Sequence, residues 1–582
     1  MAQGMDGGGF EVKAAMKKRT VSAALWFAPL LFFTLFYFYP LGKILALSLD
    51  RGAGGALAAL GEAFASPAVR RVVGFTIWQA TLSTLLTLAI GLPGAYLLGR
   101  FEFRGKALLQ SLISVPFVLP TLVVAAAFNA LLGPRGWVNL SLMEIFSLSE
   151  PPLRFMHSLA AILVAHVFYN TTIVLRMVSD FWARLDPRLE KAACTLGANR
   201  WQTLRRITLP LLAPAVAAAA LLVFIFDFSS FGVILVLGGP RFATLEVEIY
   251  TQTVSLINLP FAAALSMIKL LCTLALMLAY TRLAGRLARP LSLRSRRFTQ
   301  RRLSNRRGRL LAAALVIAFL LFFTVPLIGL AGRSLARLEP ERGQHTIIGK
   351  GFTFDFYREL TLNRRSSVFY TTHSTAIAVS LGYASATVGL ALLLGMPAAW
   401  VLAQRSESWL NRLLDPLLML PLGTSAVTLG LGFIVALNRP PLDLRASPLL
   451  IPLAHTLVAF PFVVRSLTPA LRSIQPRLRQ AAAVLGASPG KVFWRLDLLL
   501  VGRAILVAAT FAFTISLGEF GATALLARPE YPTIPVMIYR FLSQPGALNY
   551  GQALALSTIL MLVTAGGILS IERLRIGEGG EF

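Results

Sequence analysis

Two carboxylates stand where the surrounding sequence is almost wholly apolar. Asp227 lies in Val223-Phe-Ile-Phe-Asp227-Phe-Ser-Ser230-Phe231-Gly232, and Glu519 in Ser516-Leu-Gly-Glu519-Phe520-Gly521. An acid at bilayer depth is costly unless it faces a polar cavity, caps a helix end or pairs with a base. Facing a cavity, such groups attract a cation, and nearby aromatic rings bind the face of a planar or positively charged ligand. Ser230, Phe231 and Phe520 therefore join Asp227 and Glu519 as candidate lining of a pathway, with Phe226 and Phe228 close by. The chemistry on offer is binding. No nucleophile-base pair is evident, and the five histidines show no metal-ligand spacing. Gly343 to Gly349-Lys350 has the wrong spacing for a phosphate loop and lacks its Ser/Thr. Catalytic and metal-ligating residues are thus expected to be absent. His166 and His455, inside apolar runs, are expected to be buried hydrogen-bonders.

The elements that must position these residues are membrane helices. The chain is 56% hydrophobic and 14% charged, beyond the range of a soluble domain. Apolar runs of bilayer length predict twelve spans, near 21–47, 72–99, 107–133, 157–178, 208–238, 260–283, 310–332, 368–402, 410–437, 448–467, 500–527 and 549–571. Spans this long are helices and not barrel strands, so the fold class is all-α and polytopic.

These spans fall into two copies of one unit. His166 and His455, Arg176 and Arg465, Pro187 and Pro476, Gly197 and Gly486, Phe231 and Phe520, and Tyr250 and Tyr539 are all separated by 289 residues. A repeat of this size predicts two pseudo-symmetric six-helix halves facing each other across one pathway. The expected organisation is a cytoplasmic segment at 1–20, a first half at 21–283, an Arg-rich linker at 284–309, a second half at 310–572 and a tail at 573–582.

The net charge of +29 is explained by its placement. Lys13, Lys17, Lys18 and Arg19 precede the first span, Arg100, Arg104 and Lys106 follow the second, and residues 282–309 hold eleven arginines and no acid. Bases gathered in alternate loops obey the positive-inside bias. Both termini and both repeated loops are therefore expected in the cytoplasm, with anionic lipid as the partner of the basic residues and no nucleic acid. Cys194 and Cys272 form no disulfide framework.

The repeated loops carry the sharpest pattern. The first holds Glu190, Ala192, Ala193, Gly197, Asn199, Leu204, Ile207, Leu209 and Pro210; the second holds Ala481, Ala482, Gly486, Ser488, Phe493 and Leu498. Each reads as a short helix, a glycine break and a second helix leading into a span. Glycine permits the turn, and Ser488 before Pro489 reads as a strong helix start, with Asn199 the weaker equivalent. Leu204 and Phe493 occupy matching positions suited to an apolar anchor on a partner.

Both loops resemble the EAA motif of binding-protein-dependent ABC importer permeases: Glu-Ala-Ala, three residues, Gly, nine residues, Ile-x-Leu-Pro. Ala192, Ala193, Gly197, Ile207, Leu209 and Pro210 fall on it in the first loop, and Ala481, Ala482, Gly486 and Leu498 in the second. The family's acid is replaced by Lys191 and Gln480, with Glu190 one residue early, and the closing proline by Leu499 in the second loop. The resemblance implies the type I permease fold in a bacterial inner membrane. It implies that each loop is a coupling helix seated on a separate homodimeric ABC ATPase. That partner would carry ATP and magnesium, leaving no cofactor on this chain. It also implies an external or periplasmic solute-binding protein that delivers the solute.

Phe231-Gly232, Leu237-Gly-Gly-Pro-Arg241, Thr244-Leu-Glu246-Val-Glu248-Ile-Tyr250 and their counterparts after Glu519 are similar to the fused two-half permeases of the thiamine and ferric-iron class. A small cationic solute, thiamine or its phosphates first and ferric iron as the alternative, is what this implies. An ion-coupled secondary transporter would also have repeats and intramembrane acids but has no need of paired loops of this pattern.

Overall fold

The computed structural model describes residues 25–49, 65–287, 300–302, 305–337, 351–362, 373–404, 409–438, 440 and 443–576. The expected 1–20 segment, most of the 284–309 linker and the last residues of the tail lie outside them.

Among the described residues ten helices are long and apolar enough to cross a membrane, and two bent helix pairs bring the count to twelve. Leu159–Arg184 and Leu450–Ser473 occupy the same place in the two halves and are the most enclosed, each with 72% of its apolar stretch buried; Arg306–Ser334 has only 17%. The molecule therefore has two central helices, one per half, within a lipid-facing ring. Close approach to each central helix depends on missing side chains. A Cβ on Gly91 of Pro67–Arg100 would stand 2.7 Å from Val174 Cγ1, and one on Gly395 of His373–Ala403 2.8 Å from Val463 Cγ1. Small residues at such crossings let membrane helices pack by dispersion alone.

Four expected spans differ in detail, each for a local reason. The run 107–133 is two helices, Lys106–Val118 and Thr121–Leu132, because Pro120 has no N–H for a continuing ladder. The run 410–437 is bent by 98° between Asn411–Gly423 and Ala426–Ala436, where the Ser425 hydroxyl accepts from the N–H groups of Val427 and Thr428. The expected spans 208–238 and 500–527 do not run through. The first stops at Phe228 and restarts as Gly232–Leu237; the second stops at Gly518 and restarts as Gly521–Leu526. The polar Ser229-Ser230 and Glu519 interrupt backbone ladders that an average over apolar residues reads as continuous. These breaks put irregular backbone at membrane depth inside protein, where it is tolerated.

The described end of the linker does more than lie on lipid. Arg301–Arg302 pairs in parallel with Phe101–Glu102, and Gln300 Nε2 donates to the carbonyls of Leu98 and Gly99 at 3.4 and 3.3 Å. Cys194 is an exposed free thiol and Cys272 a half-buried one.

Candidate functional site

The repeated loops fold alike. Pro187–Thr195 and Pro476–Val484 are nine-residue helices that open on proline. Each closes with the same pair of bonds: Gly197 N–H to Cys194 and Ala198 N–H to Ala193 in one, Gly486 N–H to Ala483 and Ala487 N–H to Ala482 in the other, all 3.0 Å. Gly197 (φ +88°) and Gly486 (φ +78°) are left-handed, and a Cβ at either would meet nothing. Backbone conformation, and not space, is what requires glycine there. A second short helix follows, then a π-helical turn at Leu204–Thr208 or Phe493–Asp497 that leads into the span. Ile207, Leu209 and Pro210 stand at this entry in the first half and Leu498 in the second.

The caps rank opposite to expectation. Asn199 Oδ1 accepts from Gln202 N–H at 2.8 Å while Gln202 Oε1 accepts from Asn199 N–H at 3.0 Å, a reciprocal box. Ser488 makes one longer bond, from Lys491 N–H at 3.4 Å. Leu204 and Phe493, expected as apolar anchors, are both half-buried. Leu204 packs against its own half, and Phe493 packs edge-on to Trp400 at 5.0 Å. Both are the first residues of the π turns that lead into the spans. The most exposed repeat-related apolar pair of these loops is Leu196 and Leu485, 88% and 87% accessible, with Trp201 and Trp494 also exposed nearby. Ala193 is buried, and Ala192 and Ala481 are exposed. Glu190 is engaged within the chain, accepting from Arg100 and from the Thr208 hydroxyl at 2.9 Å.

At the opposite end of these spans, the helix breaks gather the remaining candidates. His166 Nδ1 lies 3.3 Å from Asp227 Oδ1 and its Nε2 2.8 Å from Ser230 Oγ. Asn170 Nδ2 donates to the same Asp227 oxygen at 2.6 Å, and Gln79 Nε2 to the Asp227 carbonyl at 3.0 Å. In the second half His455 Nδ1 lies 2.8 Å from Ser516 Oγ, and its Nε2 is 3.1 Å from Glu519 Oε2 and 2.8 Å from Thr523 Oγ1. Position 227 corresponds to 516 and 230 to 519, so the acid and the hydroxyl change places around a histidine that both halves share. Glu519 also caps Gly521–Leu526: Ala522 N–H donates to Oε1 at 2.9 Å and Thr523 N–H to Oε2 at 3.1 Å. A carboxylate there answers both the unpaired amides and the positive helix end.

Between the clusters, Phe231 and Phe520 stack on each other at 5.3 Å and 19°. Tyr250 flanks Phe231 at 5.3 Å and Tyr539 flanks Phe520 at 5.4 Å. Four repeat-related rings thus meet where the halves join. Phe228 instead stacks on Phe224, and Phe226 faces outward against Phe117.

One pair escaped sequence reasoning. Lys269 and Glu246, 1% and 0% accessible, form a buried ion pair. Glu246 also accepts from Ser425 of the second half, and Lys269 lies over the Phe228 ring at 5.1 Å. The signal was a lone lysine in the apolar run 259–283, which deserves the same suspicion as an intramembrane acid. Neither Pro535 nor Thr558, the repeat equivalents, can form such a pair. Among the described residues no group of His, Cys, Asp or Glu is arranged to hold a metal ion.

The profile of the family described as "Binding-protein-dependent transport system inner membrane component" matches residues 91–289, which span the first loop and the first histidine cluster. The thiamine transport system permease protein ThiP of Brucella abortus is 28% identical over 546 residues, 92% of each chain. The chain thus carries the membrane component of a binding-protein-dependent transport system over residues 91–289 and is similar nearly end to end to thiamine transport permeases. The permease is also 27% identical to ThiP of Salmonella typhimurium (82% of this chain, 85% of that one) and 26% identical to ThiP of Escherichia coli (84% and 88%). A solved bacterial ABC transporter for alginate import aligns with 48% of the permease and all of its own chain, at 18% identity and a TM-score of 0.41. The permease is a multi-pass protein of the inner membrane, a transport subunit and not an enzyme in itself.

Proposed function

We propose that the permease passes thiamine or its phosphates from an external binding protein to the cytoplasm. The observation that carries this is near end-to-end similarity, 92% of both chains, to a permease named for thiamine transport. The four-ring cluster at the joint between the halves suits it. A planar cationic ring system gains both stacking and cation–π attraction from Phe231, Phe520, Tyr250 and Tyr539 once they separate. Asp227 and Glu519, each buried and tied to a histidine, flank that joint, with Ser230 beside them.

Energy comes from a homodimeric ATPase on the two loops, with Leu196 and Leu485 as the apolar contacts. ATP and magnesium reside on that partner, so this chain needs no cofactor. The loops and both termini face the cytoplasm, and the organisation is the one read from sequence, halves at 21–283 and 310–572 joined by 284–309. The helix Trp201–Phe228 separates the loop from the aromatic joint by about 40 Å at 1.5 Å per residue, so the joint closes the outer end of the pathway. ATPase closure would draw the loops together and part the rings.

Uptake of labelled thiamine by cells with and without the gene, in medium of controlled iron, tests the reading. Loss of high-affinity uptake on deletion is the expected result. Intact thiamine uptake with loss of iron uptake would replace thiamine by ferric iron.

A further inference from the structure

The coupling helices have little apolar packing to hold them. Pro187–Thr195 buries only Ala193, and Pro476–Val484 buries no residue. Helices of nine residues are marginal in isolation, yet a lever between a partner and a span must be stiff. Side-chain bonds supply what packing does not.

In the first half Glu190 accepts from Arg100, the last residue of Pro67–Arg100, and from Thr208, the last residue of the π turn. In the second half Arg479 donates to Asp497 at 2.8 Å, the last residue of its π turn, and lies 4.9 Å over the Trp400 ring near the end of His373–Ala403. Positions 190 and 479, and 208 and 497, are partners at the 289-residue offset. Pro67–Arg100 and His373–Ala403 correspond through Gly91-Leu-Pro93 and Gly395-Met-Pro397. The same three elements are therefore tied in each half, while not one of the three side chains is kept: Arg–Glu–Thr against Trp–Arg–Asp.

We propose that these two triads are positioning residues that lock each coupling helix to the span it moves, with the charge on the helix inverted between the halves. The role in transport rests on the importer reading; the lock itself does not. It explains why Glu190 and Arg479 stand one residue before the position of the family's acid. They turn inward to the brace, and outward contact with a partner is left to the exposed apolar residues.

The test moves the second half's chemistry into the first. Glu190→Arg sets a cation against Arg100, and Thr208→Asp sets an acid against Glu190, whereas the double variant recreates the Arg479–Asp497 pair. Two quantities are read on the complex with its ATPase: solute moved per ATP hydrolysed, and hydrogen exchange of amides 188–196. Each single variant is expected to lower the first and raise the second about tenfold, and the double variant to bring both back to within about threefold of wild type. Glu190→Gln, which keeps an acceptor for Thr208, is expected to fall between. Unchanged values in both single variants, or a double variant no better than the worse single, would overturn the proposal. A wild-type complex that shows no ATP-linked uptake would sink the importer reading, while the exchange data would still decide the brace.

Discussion

His166 and His455 hold the same place in the two halves and are wired in opposite order. Around His166 the acid is at position 227 and the hydroxyl at 230; around His455 the hydroxyl is at 516 and the acid at 519. The repeated loops show the same pattern, with an acid on one helix and an arginine on the other reaching equivalent positions. Duplication has preserved where contacts are made and has let the groups that make them diverge. What stays chemically identical includes the joint, Phe231 on Phe520 with Tyr250 and Tyr539, and the left-handed glycines of the two loops. What has no counterpart at all is Lys269 with Glu246, so that pair measures how far the symmetry is broken.

Breaking the unmatched pair should have the largest effect. Lys269→Met leaves the Glu246 charge buried and alone, a loss of about 3–5 kcal/mol. We expect reduced membrane yield and a lower melting temperature in detergent, with Lys269→Met/Glu246→Gln closer to wild type. Thr558→Lys in the second half, having no acid to meet, should be as harmful as the single variant.

Next come the turns that both halves share. Gly197→Val and Gly486→Val force a β-branched residue into left-handed backbone, at about 1–3 kcal/mol of strain each. Insertion should be unaffected and uptake uncoupled from hydrolysis in both; comparing the two ratios measures how unequal the loops are.

The inverted clusters give a smaller, asymmetric effect. Glu519→Gln weakens a cap made of two amide bonds and removes the charge facing His455, an expected loss of about 1–2 kcal/mol. Asp227→Asn disturbs side-chain contacts alone and should cost less in thermal stability. Equal losses would mean that the exchange of acid and hydroxyl has no structural consequence. Smallest is the stack itself. Phe231→Ala and Phe520→Ala should be non-additive by about 0.5–1.5 kcal/mol in a double-mutant cycle on closed-state stability, and strict additivity would remove the direct ring contact from the account.

Much of this was legible from residues alone. The 289-residue offset needs only a reading of the chain against itself, and apolar runs report spans because the bilayer fixes their length. Left-handed glycines at 197 and 486 followed from the loop pattern, since few other residues accept that backbone. The breaks after Phe228 and Gly518 were not legible, because hydropathy averages across two or three polar residues inside a long apolar run. Leu204 and Phe493 read as outward anchors because spacing does not reveal tertiary neighbours: Phe493 meets Trp400 of His373–Ala403, and Leu204 joins an apolar cluster of its own half. The His166 and His455 clusters were half visible: the histidines and acids stood out, but which acid meets which histidine depends on helices 61 to 64 residues apart in sequence. Lys269 is equally legible, since a lone lysine in a span is as expensive as a lone acid.

The central claim is that this permease moves thiamine at the expense of ATP hydrolysed by a partner on its two loops. Reconstitution with the ATPase and binding protein in sealed vesicles, followed by labelled thiamine accumulation, tests it most directly. Accumulation that requires ATP and the binding protein, and that persists when ion gradients are collapsed, is the predicted result. Accumulation driven by an ion gradient without ATP, or none under any condition, would contradict it.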